Sequence, residues 1–103
     1  MAKITSSKWD YILKNGGNLR AAIRSEDPYA VIRELRKCYD ELLDQGKIDE
    51  YDYESWTDQL DETLDDMEYE DDEYEVLEMA EYELGEFWDL CDNIRVWVDT
   101  KDY

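Results

Sequence analysis

Apolar side chains recur at helical spacing through most of this chain. Ile32, Leu35, Tyr39 and Leu42 step by 3, 4 and 3 residues, the period of one helix face. Pro28 suits the first turn of that helix, and Gly46 supplies its stop, so a helix is predicted over 28–45. Tyr53, Trp56, Leu60, Leu64 and Met67 share one face of a second amphipathic run over 53–67. The polar stretch 68–72 reads as a turn in which Asp71 or Asp72 caps the next helix. That last helix starts near Glu73. Its stripe is Leu77, Ala80, Leu84, Phe87, Cys91, Ile94 and Val98. Upstream, Ser6 or Ser7 caps a short helix through Trp9, Ile12 and Leu13, and Asn15-Gly16-Gly17 stops it. Leu19, Ala22 and Ile23 belong to a second short helix.

The expected fold is therefore all-α, with four or five helices and an acidic C-terminal helical hairpin. Two positions complicate it. Gly85 inside the last helix costs about 1 kcal/mol relative to Ala and marks close packing or a bend. Ile94-Arg95-Val96-Trp97-Val98 also reads as a strand-like alternation, so a short terminal strand is the alternative to continued helix there. At 103 residues the chain makes one domain over 1–103. Apolar residues form 43% of it, with nine Tyr and four Trp, which is too much for a disordered acidic tail.

Charge divides the domain in two. Residues 1–47 hold nine basic and seven acidic side chains and are near neutral. Residues 48–94 hold twenty-one acidic side chains and no Lys or Arg. The whole chain carries a formal charge of -19, which argues against direct contact with nucleic acid or an anionic membrane. No run of about 18 apolar residues exists to span a membrane, and no secretory signal is visible in residues 1–11. Cys38 and Cys91 are far apart and outside any CxxC motif, so they read as small buried hydrophobes in a reducing, cytoplasmic compartment.

Several chemistries drop out. The chain has no His, which removes His-ligated zinc, Ser-His triads and Cys-His dyads. The acidic stretches lack the Gly that a calcium loop of the EF-hand type requires, and a di-iron bundle would need Glu-x-x-His pairs. No P-loop or Gly-rich loop precedes a helix. No cofactor, no metal and no enzymatic activity are expected.

The acidic half remains. A solvated helix face normally mixes signs, because Glu–Lys pairs four residues apart stabilise helices and like pairs destabilise them. Here no cation interrupts 47 consecutive residues. Two antiparallel helices of about twenty residues are each about 30 Å long. Their carboxylates then number about one per 1.5 Å, close to the one phosphate per about 1.7 Å of duplex DNA. Glu54, Asp58, Asp61 and Asp65 lie opposite the apolar stripe of the first acidic helix. Glu75, Glu78, Tyr82, Glu86 and Asp89 lie opposite that of the second, and Asp71 and Asp72 sit at the turn. These eleven residues are the candidate partner-binding site. Tyr51, Tyr69, Tyr74 and Tyr82 add flat surface that stacks on Arg.

In size, charge density and interleaving of Asp and Glu with Tyr and Trp, residues 48–94 resemble the small acidic DNA-mimic proteins of phages and mobile elements, among them anti-CRISPR and antirestriction proteins. The resemblance is to a class and aligns no motif. It implies an inhibitor in a bacterial host cell that blocks the nucleic-acid groove of a defence nuclease, a CRISPR effector first among them. The rival reading is an acidic chaperone or antitoxin that neutralises a basic protein. A further alternative makes the 77–98 stripe a dimer seam, so the expected state is monomer or homodimer.

Overall fold

The computed structural model describes residues 9–99. In chain order these form β1 (Tyr11–Ile12), α1 (Gly16–Arg24), α2 (Pro28–Asp44), α3 (Glu50–Tyr69), α4 (Glu73–Asn93) and β2 (Val96–Trp97). Among the described residues the fold is all-α with four helices, and one parallel pair of two-residue strands joins its two ends.

Helix α2 lies at the centre and packs against α1, α3 and α4. Asp27 caps it by accepting from the Ala30 N–H at 3.2 Å. Pro28 fills the first turn, where its missing N–H costs no hydrogen bond. At the other end Gly46 turns left-handed at φ 70°. The N–H groups of Gly46 and Lys47 then bond back to Leu43 and Leu42 at 3.0 and 2.9 Å, closing the helix. Val31, Ile32, Leu35, Cys38, Tyr39 and Leu42 are buried, as the period requires. Tyr39 joins three helices. Its ring stacks on Trp56 of α3 at 5.7 Å and meets Phe87 of α4 edge-on at 5.1 Å.

The acidic helices start on carboxylate caps. Asp49 accepts from the Asp52 N–H at 2.8 Å, and Asp72 from the Tyr74 N–H at 3.0 Å. The chain spans 45 × 34 × 17 Å. At an interaxial spacing of about 8–10 Å, that thickness is about two helix layers. A slab so thin leaves α3 and α4 broadly open to solvent.

Four expectations need correction. Residues 9–13 are not helical. Trp9 and Leu13 are buried and Tyr11 half-buried, while Asp10 and Ile12 are exposed, so the burial period is two. Backbone bonds from Asp10 N–H to Arg95 O (2.7 Å) and from Leu13 N–H to Trp97 O (2.9 Å) extend the strand pairing. Trp9 meets Trp97 edge-on at 5.4 Å. The Ser6 or Ser7 cap lies outside the described residues.

The second correction is that Asn15-Gly16-Gly17 opens α1 rather than stopping a helix. The Glu41 carboxylate on α2 accepts the N–H groups of Lys14 and Asn15 at 2.7 and 2.9 Å. A Cβ on Gly16 would lie 3.0 Å from the Asp99 backbone nitrogen, so the residue is small because two chain segments touch there.

Third, α3 continues to Tyr69, and the turn is the three residues 70–72. Fourth, α4 ends at Asn93, and Val98 is buried beyond the terminal strand rather than on the helix. The alternating 94–98 pattern is the better guide there. Arg95 breaks the helix with φ 60°. The buried stripe of α4 is Val76, Ala80, Glu83, Leu84, Phe87 and Cys91, while Leu77 is half-buried. Gly85 would meet nothing within 4 Å of a Cβ, and α4 runs through it unbroken. It marks no close contact. Apart from Leu77 and Ile94, the stripe read as a dimer seam is spent on the chain's own core.

Candidate functional site

All eleven candidate residues are exposed: Glu54, Asp58, Asp61, Asp65, Asp71, Asp72, Glu75, Glu78, Tyr82, Glu86 and Asp89. The cause is local. Thr57, Leu60 and Met67 turn α3 inward, and Val76, Ala80, Leu84 and Phe87 do the same for α4. The acids on the opposite faces are left toward solvent.

The structure does not make one surface of the eleven. Glu75, Glu78 and Tyr82 line a shallow cleft of about 620 Å³ between α3 and α4, together with Gln59, Glu62, Thr63, Asp66, Met79 and Glu83. Tyr82, Glu86 and Asp89 continue into a neighbouring cleft of about 500 Å³ with Glu81, Gly85 and Trp88. Glu54, Asp58 and Asp65 lie outside both clefts, on α3. Asp61 turns toward α2 and pairs with Arg36. Asp71 and Asp72 stay at the turn, where Asp72 is occupied as the cap of α4.

Glu62, Asp66 and Glu83 belong to the α3–α4 cleft but are not among the eleven, whose helical members were chosen opposite each apolar stripe. A helix with two neighbours also has flanks, and the cleft opens along the flank that faces its partner. The signal was in the sequence. Gln59 and Thr63 are uncharged polar residues one turn apart in a run of acids, and they mark the side of α3 that meets α4.

Glu83 shows why those two are there. It is only 4% exposed. Gln59 Nε2 donates to both of its oxygens at 3.0 Å, and Thr63 Oγ1 donates to Oε1 at 2.8 Å. A buried carboxylate is tolerable only with such donors.

The field of the acidic helices reaches the phenols on their surface. Tyr74 has its pKa raised, first by the charge of Glu78 and then by a hydrogen bond to it. Tyr82 has its pKa raised, first by a hydrogen bond to Glu86 and then by its charge. Tyr74 and Tyr82 are 66% and 63% exposed, and Tyr51 and Tyr69 more so at 81% and 87%. These rings hold large amphipathic area in water, the usual raw material of a protein interface.

The cysteines offer no chemistry to this face. Both are buried. Burial, with Glu41 and Glu34 nearby, pushes the Cys38 thiol up to about 12 against a hydrogen bond from Asn15. A thiol so hard to ionise is a poor nucleophile. Among the described residues no group of three or more Cys, Asp or Glu is arranged to hold a metal ion. Among them, too, no helix is long and apolar enough to cross a membrane.

Compared with known proteins, the chain matches no protein-family model, no curated protein and no solved structure.

Proposed function

We propose that this chain is an inhibitor rather than an enzyme, and that it binds a basic protein by offering carboxylates where that protein expects phosphates. One observation carries the reading. Helices α3 and α4 expose many carboxylates in a segment, residues 48–94, that holds no cation, and the Arg36–Asp61 pair brings one in from α2.

The mechanism is electrostatic. A groove lined with Lys and Arg attracts the acidic face over long range and speeds encounter. Direct Arg–carboxylate pairs then fix the register, and Tyr82 or Tyr74 stacks on a guanidinium. Carboxylates copy the phosphate backbone but not the base edges. The contacts displaced are therefore those that read backbone or a short motif. An RNA-guided nuclease of a bacterial defence system is the target this chemistry fits first.

A competition assay tests it. Nuclease bound first to this protein should fail to bind DNA, and nuclease already on DNA should resist the protein. Inhibition should fade steeply as salt rises. If protein and DNA occupy the nuclease together without effect on each other, mimicry is wrong and an acidic chaperone or antitoxin takes its place.

A further inference from the structure

The second notable surface lies away from the α3–α4 cleft, where the corner between α1 and α2 meets α4. Two adjoining clefts of about 450 and 320 Å³ share Glu26, Pro28 and Leu77. Their apolar walls include Ile23, Val31, Val76 and Leu84. Leu77 is half-buried on the line where they join, off the fully buried stripe of α4.

Backbone hydrogen bonds close the corner. The N–H groups of Glu26 and Asp27 bond back to Ile23 and Ala22 at 3.1 and 3.4 Å, the closing pattern of a helix that ends left-handed. Glycine normally takes that position. Here Glu26 holds it at φ 53°, a conformation that costs a side chain about 1–2 kcal/mol. Folding alone does not call for a carboxylate there. The strain sets Glu26 at the lip of both clefts.

The lining also has one sign. Glu26, Asp27, Glu70, Glu73 and Glu81 supply all of its charge, and no Lys or Arg lines it. The one phenol, Tyr29, already donates to the Met67 carbonyl at 3.1 Å. An anion would find acceptors and no free donor. An apolar side chain next to a cation would find a dry wall and a carboxylate together.

We infer that this corner is a docking socket for a basic amphipathic segment of a partner protein, one apolar side chain flanked by Lys or Arg, with Leu77 as its floor. The inference rests on the reading that the partner is a basic protein, and not on that partner being a nuclease. It gives specificity to an encounter that charge alone leaves unspecific.

Two peptides test it against the isotope-labelled full chain by amide-shift titration at low salt. One has four cationic residues around a central Leu, and the other replaces that Leu by Ser. The Leu peptide should bind about tenfold tighter or more, the worth of burying one such side chain. It should move the amides of Ile23, Glu26, Val31 and Leu77. Leu77→Ser should erase the difference and leave the Ser peptide unaffected. Glu81→Lys, on the same rim, should weaken the Leu peptide at least about tenfold and guards against a folding defect in the first variant. Equal affinities, or shifts confined to the α3–α4 cleft, overturn the socket and leave the electrostatic reading standing. Binding of neither peptide overturns both.

Discussion

Glu83 of α4 and Gln59 of α3 are locked face to face, both carboxylate oxygens 3.0 Å from the Gln59 amide nitrogen. This is the one place among the described residues where a charge of the acidic half is buried, and no cation shares it. The pair links two helices whose exposed surfaces repel.

Replacing Glu83 separates the hydrogen bonds from the charge. Glu83→Gln keeps an acceptor for Gln59 or Thr63 and removes a buried negative charge from an anionic field. It should melt at or above the wild type. Glu83→Ala leaves the cleft wall without its acceptor and should lose about 1–3 kcal/mol. Thermal unfolding of the two variants checks this. A Gln variant less stable than the Ala variant would show that the charge itself holds α3 to α4.

Gly85→Ala should stabilise the protein by about 1 kcal/mol, the propensity difference at a helix interior. The added methyl meets nothing within 4 Å, so no clash offsets the gain. For a domain of this size the melting temperature should rise by about 4–8 °C. An unchanged or lower value would mean that α4 needs to flex at this point. Because Gly85 lines the cleft beside Tyr82 and Glu86, the same variant also tests whether that cleft must stay open for a partner.

Stability should fall in alkali. Burial, then the hydrogen bond to Glu41, pushes the Tyr11 phenol from 10.0 to about 12. Burial pushes Cys38 from 9.0 to about 12. Burial first, and the charge of Glu83 next, pushes Tyr39 up as well. Each group ionises later in the folded chain than in the unfolded one. Its contribution is therefore whole below the unfolded values and is lost as pH climbs from about 9 toward 12. Urea unfolding across that range should give a falling midpoint, with phenolate absorbance from the core tyrosines rising only as the chain unfolds. A midpoint that stays level to about pH 11 would contradict the burial of these three groups.

The helices were legible where a periodic stripe, a first-turn residue and a stop agreed. Helix α2 had Pro28, a 3-4-3 stripe and Gly46, and its ends fall within a residue of the expected ones, while its cap, Asp27, was not singled out. The amino-terminal strand was not legible, because Trp9, Ile12 and Leu13 fit a helical step while Trp9, Tyr11 and Leu13 fit a strand. The choice is made by Val96 and Trp97, more than eighty residues away, which local pattern cannot weigh. The acidic residues could be known as exposed from composition alone. Which of them share a cleft depends on the flank of α3 that meets α4, and that is tertiary information. Glu83 is the clearest case, since nothing in the sequence tells a buried Glu from its exposed neighbours except Gln59 and Thr63 on the other helix.

Charge reversal should reveal which part of the acidic surface binds. One variant changes the cleft residues Glu62, Asp66, Glu75 and Glu78 to Lys. The other changes Glu54, Asp58 and Asp65 on α3 to Lys. Asp61 is spared because reversing it would break the pair with Arg36. All seven side chains are exposed, so both variants should fold. Both should also melt higher than the wild type, because cations placed among like charges turn repulsion into attraction. Raising salt from about 20 to about 300 mM should lift the wild type in the same direction by screening, and the variants less. Their effects on binding should differ. A cleft concentrates the field of its walls, so the cleft variant should lose the ability to keep DNA off the free target nuclease. The α3 variant should keep it with a slower on-rate, as expected when distant charges steer rather than contact. DNA-binding assays on nuclease pre-incubated with each variant, and association rates on the same preparations, separate the two. Equal loss in both variants would mean that the surface acts through its total charge, with no cleft to recognise. Loss only in the α3 variant would move the site to Glu54, Asp58 and Asp65 and leave the cleft as the seam between two helices.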